Sequence, residues 1–168
     1  MQKEPTKQKI LMEAVKLFSR EGYEAVSVEQ IAKSVGIKAP SLYKHYKNKR
    51  DIFDSILRFM EQRDCENAAD CSMPTETPDK TPEDYVRASA DDLIEFSRNQ
   101  FRYWTEDDFA SSFRKMLTVE QFRSEEMNKL YHQYLGTGPL KYVADLLGSH
   151  TDALSFYGPM FLLYSVYD

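Results

Sequence analysis

A short apolar stripe cut off by a glycine constrains this chain more than any other feature. Val28, Ile31, Ala32 and Val35 recur at helical spacing, and Gly36 stops the pattern after about two turns. Ser27, with Gln30 three positions on, forms a capping-box pattern, so the helix starts there. Before it, Ile10, Leu11, Ala14, Val15, Leu17 and Phe18 make a longer stripe that ends at Gly22. After it, a third short helix is predicted near Ala39 to Tyr46, with Pro40 in its first turn and Leu42 and Tyr46 turned inward. Two short helices about a glycine turn, leaning on a longer one, make a helix-turn-helix.

The rest of the chain reads as further helices. One starts near Asn48, carries Ile52, Phe53, Ile56, Leu57 and Met60 on one face, and is expected to run to about Glu66. The stretch CENAADCSMPTETPDKTP, with its prolines, reads as a loop or frayed linker and as the best candidate boundary. Thr81-Pro82-Glu83-Asp84 is a start signal, and helical segments follow at roughly 82–100, 106–118, 124–135, 139–148 and 151–168. Pro159 is expected to kink the last of these or to mark its true start. No alternating strand pattern occurs, and six glycines with seven prolines are few for a turn-rich β fold. The predicted fold is all-α: an N-terminal three-helix helix-turn-helix domain over residues 1–47, then an antiparallel helical domain over residues 48–168.

Charge separates the same two parts. Residues 1–50 hold 11 Lys/Arg against 5 Asp/Glu, whereas residues 51–168 hold 11 against 22, for a net charge of −5. A basic head on an acidic body fits one end meeting a polyanion. Two cysteines argue against a disulfide scaffold and suit a reducing compartment. Cys65 and Cys71 lie among Asp64, Glu66 and Asp70, which disfavour the thiolate, so inert thiols are expected. No apolar run reaches the ~18 residues of a membrane span, and the start lacks an apolar signal core; the chain is read as soluble, cytoplasmic and free of membrane contact. His45, His132 and His150 have no ligand spacing, so neither metal nor cofactor is expected. Ser41-x-x-Lys44 and Tyr43-x-x-x-Lys47 imitate catalytic pairs but lack their companion motifs, and the chain is not read as an enzyme.

The third helix supplies what a groove-reading element needs. Pro40, Ser41, Tyr43, Lys44 and His45 lie on or near its polar side, while Leu42 points to the core. Lys47, Lys49 and Arg50 follow where the chain would cross the phosphate backbone. The stretch GYEAVSVEQIAKSVGIKAPSLYKHYKNKRDIF resembles the DNA-binding head of the TetR family of bacterial transcriptional regulators. The matching elements are the Gly-aromatic turn, the Ser cap, Ile-Ala, Gly-Ile, and Ser-Leu-Tyr-x-His-Tyr with lysine soon after, over about residues 8 to 57. The resemblance implies that Ser27 caps the second helix and touches phosphate. It places Lys38, Ala39 and Ser41 at the start of the reading helix, Tyr43 and His45 on the backbone or groove, Lys44 on bases, and Lys49 on a phosphate. Many members carry a capping serine where this chain has Lys38; a lysine cannot cap in that way, but its arm can reach phosphate.

For the body, the resemblance implies a small-effector site and a homodimer. Phe96 to Asp168 hold 15 aromatic residues, against 7 in the first 95 positions. Phe96, Tyr103, Trp104, Phe109, Phe113, Met116, Met127, Tyr131 and Tyr134 are the candidates to line a cavity for an apolar or aromatic effector; the competing reading is an ordinary core of large side chains. The last segment is apolar almost all round, which suits burial in a core or partner. The family's dimer forms through its last two helices, which points to Phe156, Met160, Leu163 and Tyr167; the chain ends about one helix short of the family plan. The expected function is a ligand-responsive regulator, a repressor released from a palindromic operator in double-stranded DNA. The alternative is a helical small-molecule-binding or structural protein with a vestigial head.

Overall fold

Nine helices follow one another in the computed structural model, which describes residues 5–70 and 90–167, and side chains for 5–66 and 94–167. They are α1 Thr6–Glu21, α2 Val28–Val35, α3 Ala39–Leu42, α4 Lys49–Asp70, α5 Ala90–Glu106, α6 Asp108–Glu120, α7 Glu125–Tyr134, α8 Thr137–Leu147 and α9 His150–Tyr167. Among the described residues every regular element is helical, and no helix is long and apolar enough to cross a membrane.

The head forms as its sequence signals direct. Ser27 accepts the Gln30 amide at 3.1 Å, and the Gln30 side chain accepts the Ser27 amide at 2.6 Å, so both halves of the capping box form. Gly36 ends α2 at φ 78°, in the left-handed region that favours glycine, and the Ile37 amide reaches back to the Ala32 carbonyl at 2.9 Å. Regular helix in the third element covers only Ala39–Leu42, less than the predicted Ala39 to Tyr46. Beyond Leu42 the amides of His45 and Tyr46 both close on the Leu42 carbonyl, which tightens the chain into turns. Lys38 occupies the cap position of α3 without a side-chain bond. The first turn of this element is therefore held by packing, and Leu42 at 0% exposure supplies it.

Other boundaries move for readable reasons. α4 continues to Asp70, so the first part of the predicted linker is helical; the rest of it, Cys71, and the start signal at Thr81-Pro82 lie outside the described residues. α5 runs to Glu106 because the next helix is set by Asp107, whose carboxylate accepts the amides of Phe109 and Ala110 at 3.0 and 2.9 Å. Pro159 neither starts nor ends α9, which begins at His150. Ala153 and Tyr157 already pack inward upstream of it, and the carbonyl freed by the missing N–H belongs to Ser155, an exposed residue.

One apolar cluster runs through head and body. Ile10, Phe18, Ile31, Leu42, Phe53 and Ile56 share it with Phe109, Phe113, Met116 and Tyr134, and α1 packs along α6. Beside this cluster, between α4 and α5, stands a half-buried carboxyl group. Tyr103 Oη donates to Asp64 Oδ1 at 3.3 Å, and burial pushes the Asp64 carboxyl up to about 7, against smaller lowering by the Tyr103 bond and Arg63. An acid raised above its unfolded value is bound more tightly to its proton in the fold, so stability falls as pH rises through the window from about 4 to about 7. Asp64→Asn is accordingly expected to raise the thermal midpoint at pH 8 and to lose that advantage as pH falls toward 4. A gain independent of pH would remove Asp64 as its source.

Candidate nucleic-acid interface

The exposed side of α3 and the turns after it carry one sign of charge. Lys38, Pro40, Tyr43, Lys44, His45 and Lys47 are all exposed, Ala39 and Ser41 are half-buried, and no Asp or Glu occurs between Glu29 and Asp51. The opposite side is fixed. Leu42 is fully buried, and Tyr46 is 2% exposed with its hydroxyl donating to the Lys7 carbonyl at 3.1 Å. Burial pushes the Tyr46 hydroxyl up to about 12, so it stays a donor. Tyr43 and Tyr46, three residues apart, thus serve opposite faces: Tyr43 is 48% exposed while Tyr46 packs.

Ser27, half-buried, spends its hydroxyl on the capping box. Lys49, the first residue of α4, turns its ammonium toward the α1–α2 turn. It donates to the carbonyls of Tyr23 at 2.8 Å and Glu24 at 3.3 Å and sits 4.4 Å from the Tyr23 ring centroid. Two of its three N–H donors are occupied there, and one is left. Arg50, read from the sequence as crossing a phosphate backbone, faces the body instead, on Glu126 and Asp54. The reason is a carboxylate 76 positions away, which no local pattern announces.

The body grips the head from the other side as well. Glu120, 2% exposed, accepts the Tyr23 amide at 2.9 Å and lies 3.2 Å from Arg123 Nε. Gly22 sits between them at φ 83°, and a Cβ there would come within 2.9 Å of the same Glu120 oxygen. Glycine is needed at that position for both reasons. Sequence reading missed Glu120. Its signal was a carboxylate continuing the apolar stripe of Phe109, Phe113 and Met116.

Most of the residues expected to line a cavity pack against one another. Trp104, Phe109, Phe113, Met116, Met127 and Tyr134 are buried, and their rings interlock: Phe113 and Tyr134 meet edge-to-face at 5.0 Å, and Trp104 and Tyr134 at 6.4 Å. Tyr103 and Tyr131 are half-buried against the same cluster, and Phe96 stands apart, 6.4 Å from Tyr142. The described cavity, about 750 Å³, opens between α7 and α8 beside Asn128, Lys129, His132, Gln133, Leu140 and Lys141, and none of the nine borders it. On α9, Phe156 and Met160 are half-buried against the body, while Leu163 and Tyr167 are 51% and 54% exposed.

Comparisons with known proteins converge on the head. Residues 10–56 match the sequence model described as bacterial regulatory proteins, tetR family. The chain is 49% identical over 47 residues to the biofilm operon icaADBC HTH-type negative transcriptional regulator IcaR of Staphylococcus epidermidis (strain ATCC 35984), covering 28% of this chain and 25% of that one. It is 42% identical over 52 residues to IcaR of Staphylococcus aureus (strain Newman), covering 31% and 28%. The chain thus spans about a quarter of the length of these curated relatives in the matched segment. Among solved structures it resembles the fatty acid degradation regulator FadR from Bacillus halodurans, with TM-score 0.62, 17% identity, and coverage of 99% of this chain and 86% of that one. It also resembles Salmonella enterica GusR, with TM-score 0.58, 18% identity, and coverage of 98% and 84%. At such identity these two show the fold alone: a helix-turn-helix head followed by a helical body. By the match over residues 10–56, the head of this chain is similar to that of the tetR family of bacterial regulatory proteins.

Proposed function

We propose that the chain is a DNA-binding transcriptional regulator that works as a homodimeric repressor and leaves a palindromic operator when a small effector binds. The observation that carries the DNA reading is the face of α3: exposed cations, a tyrosine and an imidazole on a fixed backbone, with no acid between Glu29 and Asp51. In this reading residues 1–47 form the DNA-binding unit and 48–168 the effector and dimer unit. Lys38, Ala39, Pro40, Ser41, Tyr43 and His45 face the groove and its backbone, Lys44 reads bases, Ser27 lies beside a phosphate, and Lys49 offers its remaining N–H to one.

A single turn of regular helix makes few base contacts, and a dimer presenting two such turns about 34 Å apart reads a palindrome. The described surface of α9 supports the dimer. Leu154, Leu162 and Val166 line up at four-residue multiples and are 58%, 64% and 73% exposed, with Leu163 and Tyr167 beside them. For the effector, the cavity between α7 and α8 offers a site, where Lys141 and His132 favour a ligand that carries an acceptor or negative charge.

The test is a salt series on random-sequence duplex. The wild-type chain is expected to lose affinity steeply with salt. Lys44→Ala with Lys47→Ala is expected to make the log–log slope shallower by about 0.9 for each phosphate no longer neutralised. Absence of duplex binding at low salt would favour the alternative of a helical protein whose head no longer reads DNA. A thermal-shift screen of small anions tests the effector. A ligand that stabilises the fold and leaves duplex affinity unchanged would separate that cavity from regulation.

A further inference from the structure

Arg50 is left without a role in that reading. Its guanidinium is bidentate on Glu126, Nη1 to Oε2 at 2.9 Å and Nη2 to Oε1 at 2.5 Å, while Nε donates to Asp54 Oδ1 at 2.7 Å. It also lies 5.4 Å from the Phe53 ring centroid. The side chains are 51% and 46% exposed, so such a pair adds little to stability by itself. Its placement matters more than its strength. Arg50 is the second residue of α4 and Glu126 the second residue of α7, so the pair joins the first turns of two helices, one from each part of the molecule. The Glu126 carboxyl is pulled below its ordinary value chiefly by this hydrogen bond, and the guanidinium is held charged by it.

The first turn of α4 is in turn fixed to the reading element. Asn48 Oδ1 accepts the Asp51 amide at 2.8 Å, and Asp51 Oδ2 accepts the Lys47 amide at 2.9 Å. A movement of α7 therefore has a continuous route of bonds through Arg50 and Asp51 to Lys47 and the turns after α3. We propose that Arg50 and Glu126 form a positioning pair that sets the angle of the reading element on the body, so that duplex affinity depends on two residues that touch no phosphate. The proposal rests on the DNA-binding reading above. α7 also lines the cavity with Asn128, Lys129, His132 and Gln133, so a ligand there acts on the helix that carries Glu126.

Arg50→Gln, Arg50→Lys, Glu126→Gln and the Arg50→Gln/Glu126→Gln double variant test it. Affinity is read on duplex fragments that the wild-type chain selects from a random pool, and the salt slope on random duplex. Each single variant is expected to lose about five-fold or more on selected fragments, the low end of site-to-site coupling. The double variant is expected to lose no more than either single, because both remove one interaction. Arg50→Lys keeps the charge but not the planar fork, and is expected to lose nearly as much as Arg50→Gln. All slopes are expected to match wild type. A slope shallower by about 0.9 in Arg50→Gln, with Arg50→Lys like wild type, would make Arg50 a phosphate ligand and overturn the proposal. Additive losses, or none, would overturn it too. If the wild-type chain binds no duplex, the DNA reading fails and takes this pair's role with it; if wild type binds and the variants equal it, only this proposal fails.

Discussion

Leu42→Ala is expected to lower the unfolding free energy by about 2–5 kcal/mol and to lower duplex affinity out of proportion to that loss. The cavity it leaves lies in a fully buried site, Leu42 being 0% exposed. The disproportion comes from the length of α3. Four residues of helix cannot hold themselves, because an isolated turn fixes more dihedrals than its hydrogen bonds repay. Lys38 gives no side-chain cap, so Leu42 and the Tyr46 hydroxyl are what seat the element. Without the leucine, Lys38, Tyr43 and Lys44 leave their common face while α6, α7 and α9 stay packed. Tyr43→Ala is the control, since the ring is half exposed: duplex affinity is expected to fall with little change in stability. Denaturant titration and duplex binding on the same samples decide it. A Leu42→Ala chain that loses stability but binds like wild type would mean that another element reads DNA.

The parts of the head that depend on neighbours in sequence were legible. The Ser27–Gln30 box, the stop at Gly36 and the inward Leu42 and Tyr46 all follow from spacing within a few residues, and each formed. Arg50 and Lys49 show where such reading stops. A cation near a groove-reading helix has the same local pattern whether it meets a phosphate, the Tyr23 carbonyl or Glu126, and the choice is made by residues 26 and 76 positions away. The aromatic body is the second case. Composition registers rings but not their angles, and here Phe113 and Trp104 each meet Tyr134 edge-to-face. Buried charges did leave a trace: Arg114 and Glu120 both fall among the apolar positions of α6, where an isolated charge signals a partner.

Arg114→Met is expected to cost about 2–4 kcal/mol of unfolding free energy, from one buried acceptor after another left unmade. Arg114 is 3% exposed; its Nε donates to the Trp104 carbonyl at 3.0 Å and its Nη1 to the Tyr164 carbonyl at 3.0 Å. Trp104 lies in the last turn of α5 and Tyr164 in the last turn of α9, where carbonyls lack helical partners. One guanidinium thus closes the C-terminal ends of two helices, with its positive charge at the negative end of both dipoles. It also lies 5.4 Å from the Tyr164 ring centroid, which stacks at 5.6 Å on Phe101 of α5. Methionine keeps much of the stem and neither bond. Lysine keeps the charge but cannot span both carbonyls, so Arg114→Lys is expected to fall between wild type and methionine. The consequence reaches the proposed dimer, because Leu162, Leu163 and Val166 sit on the same end of α9 that Tyr164 anchors. Loosening that end is expected to weaken self-association along with stability, in the order wild type, lysine, methionine. Guanidinium titration and sedimentation across a concentration series measure the two effects on one set of samples. A methionine variant that loses stability yet self-associates like wild type would place the dimer contact away from this end of α9.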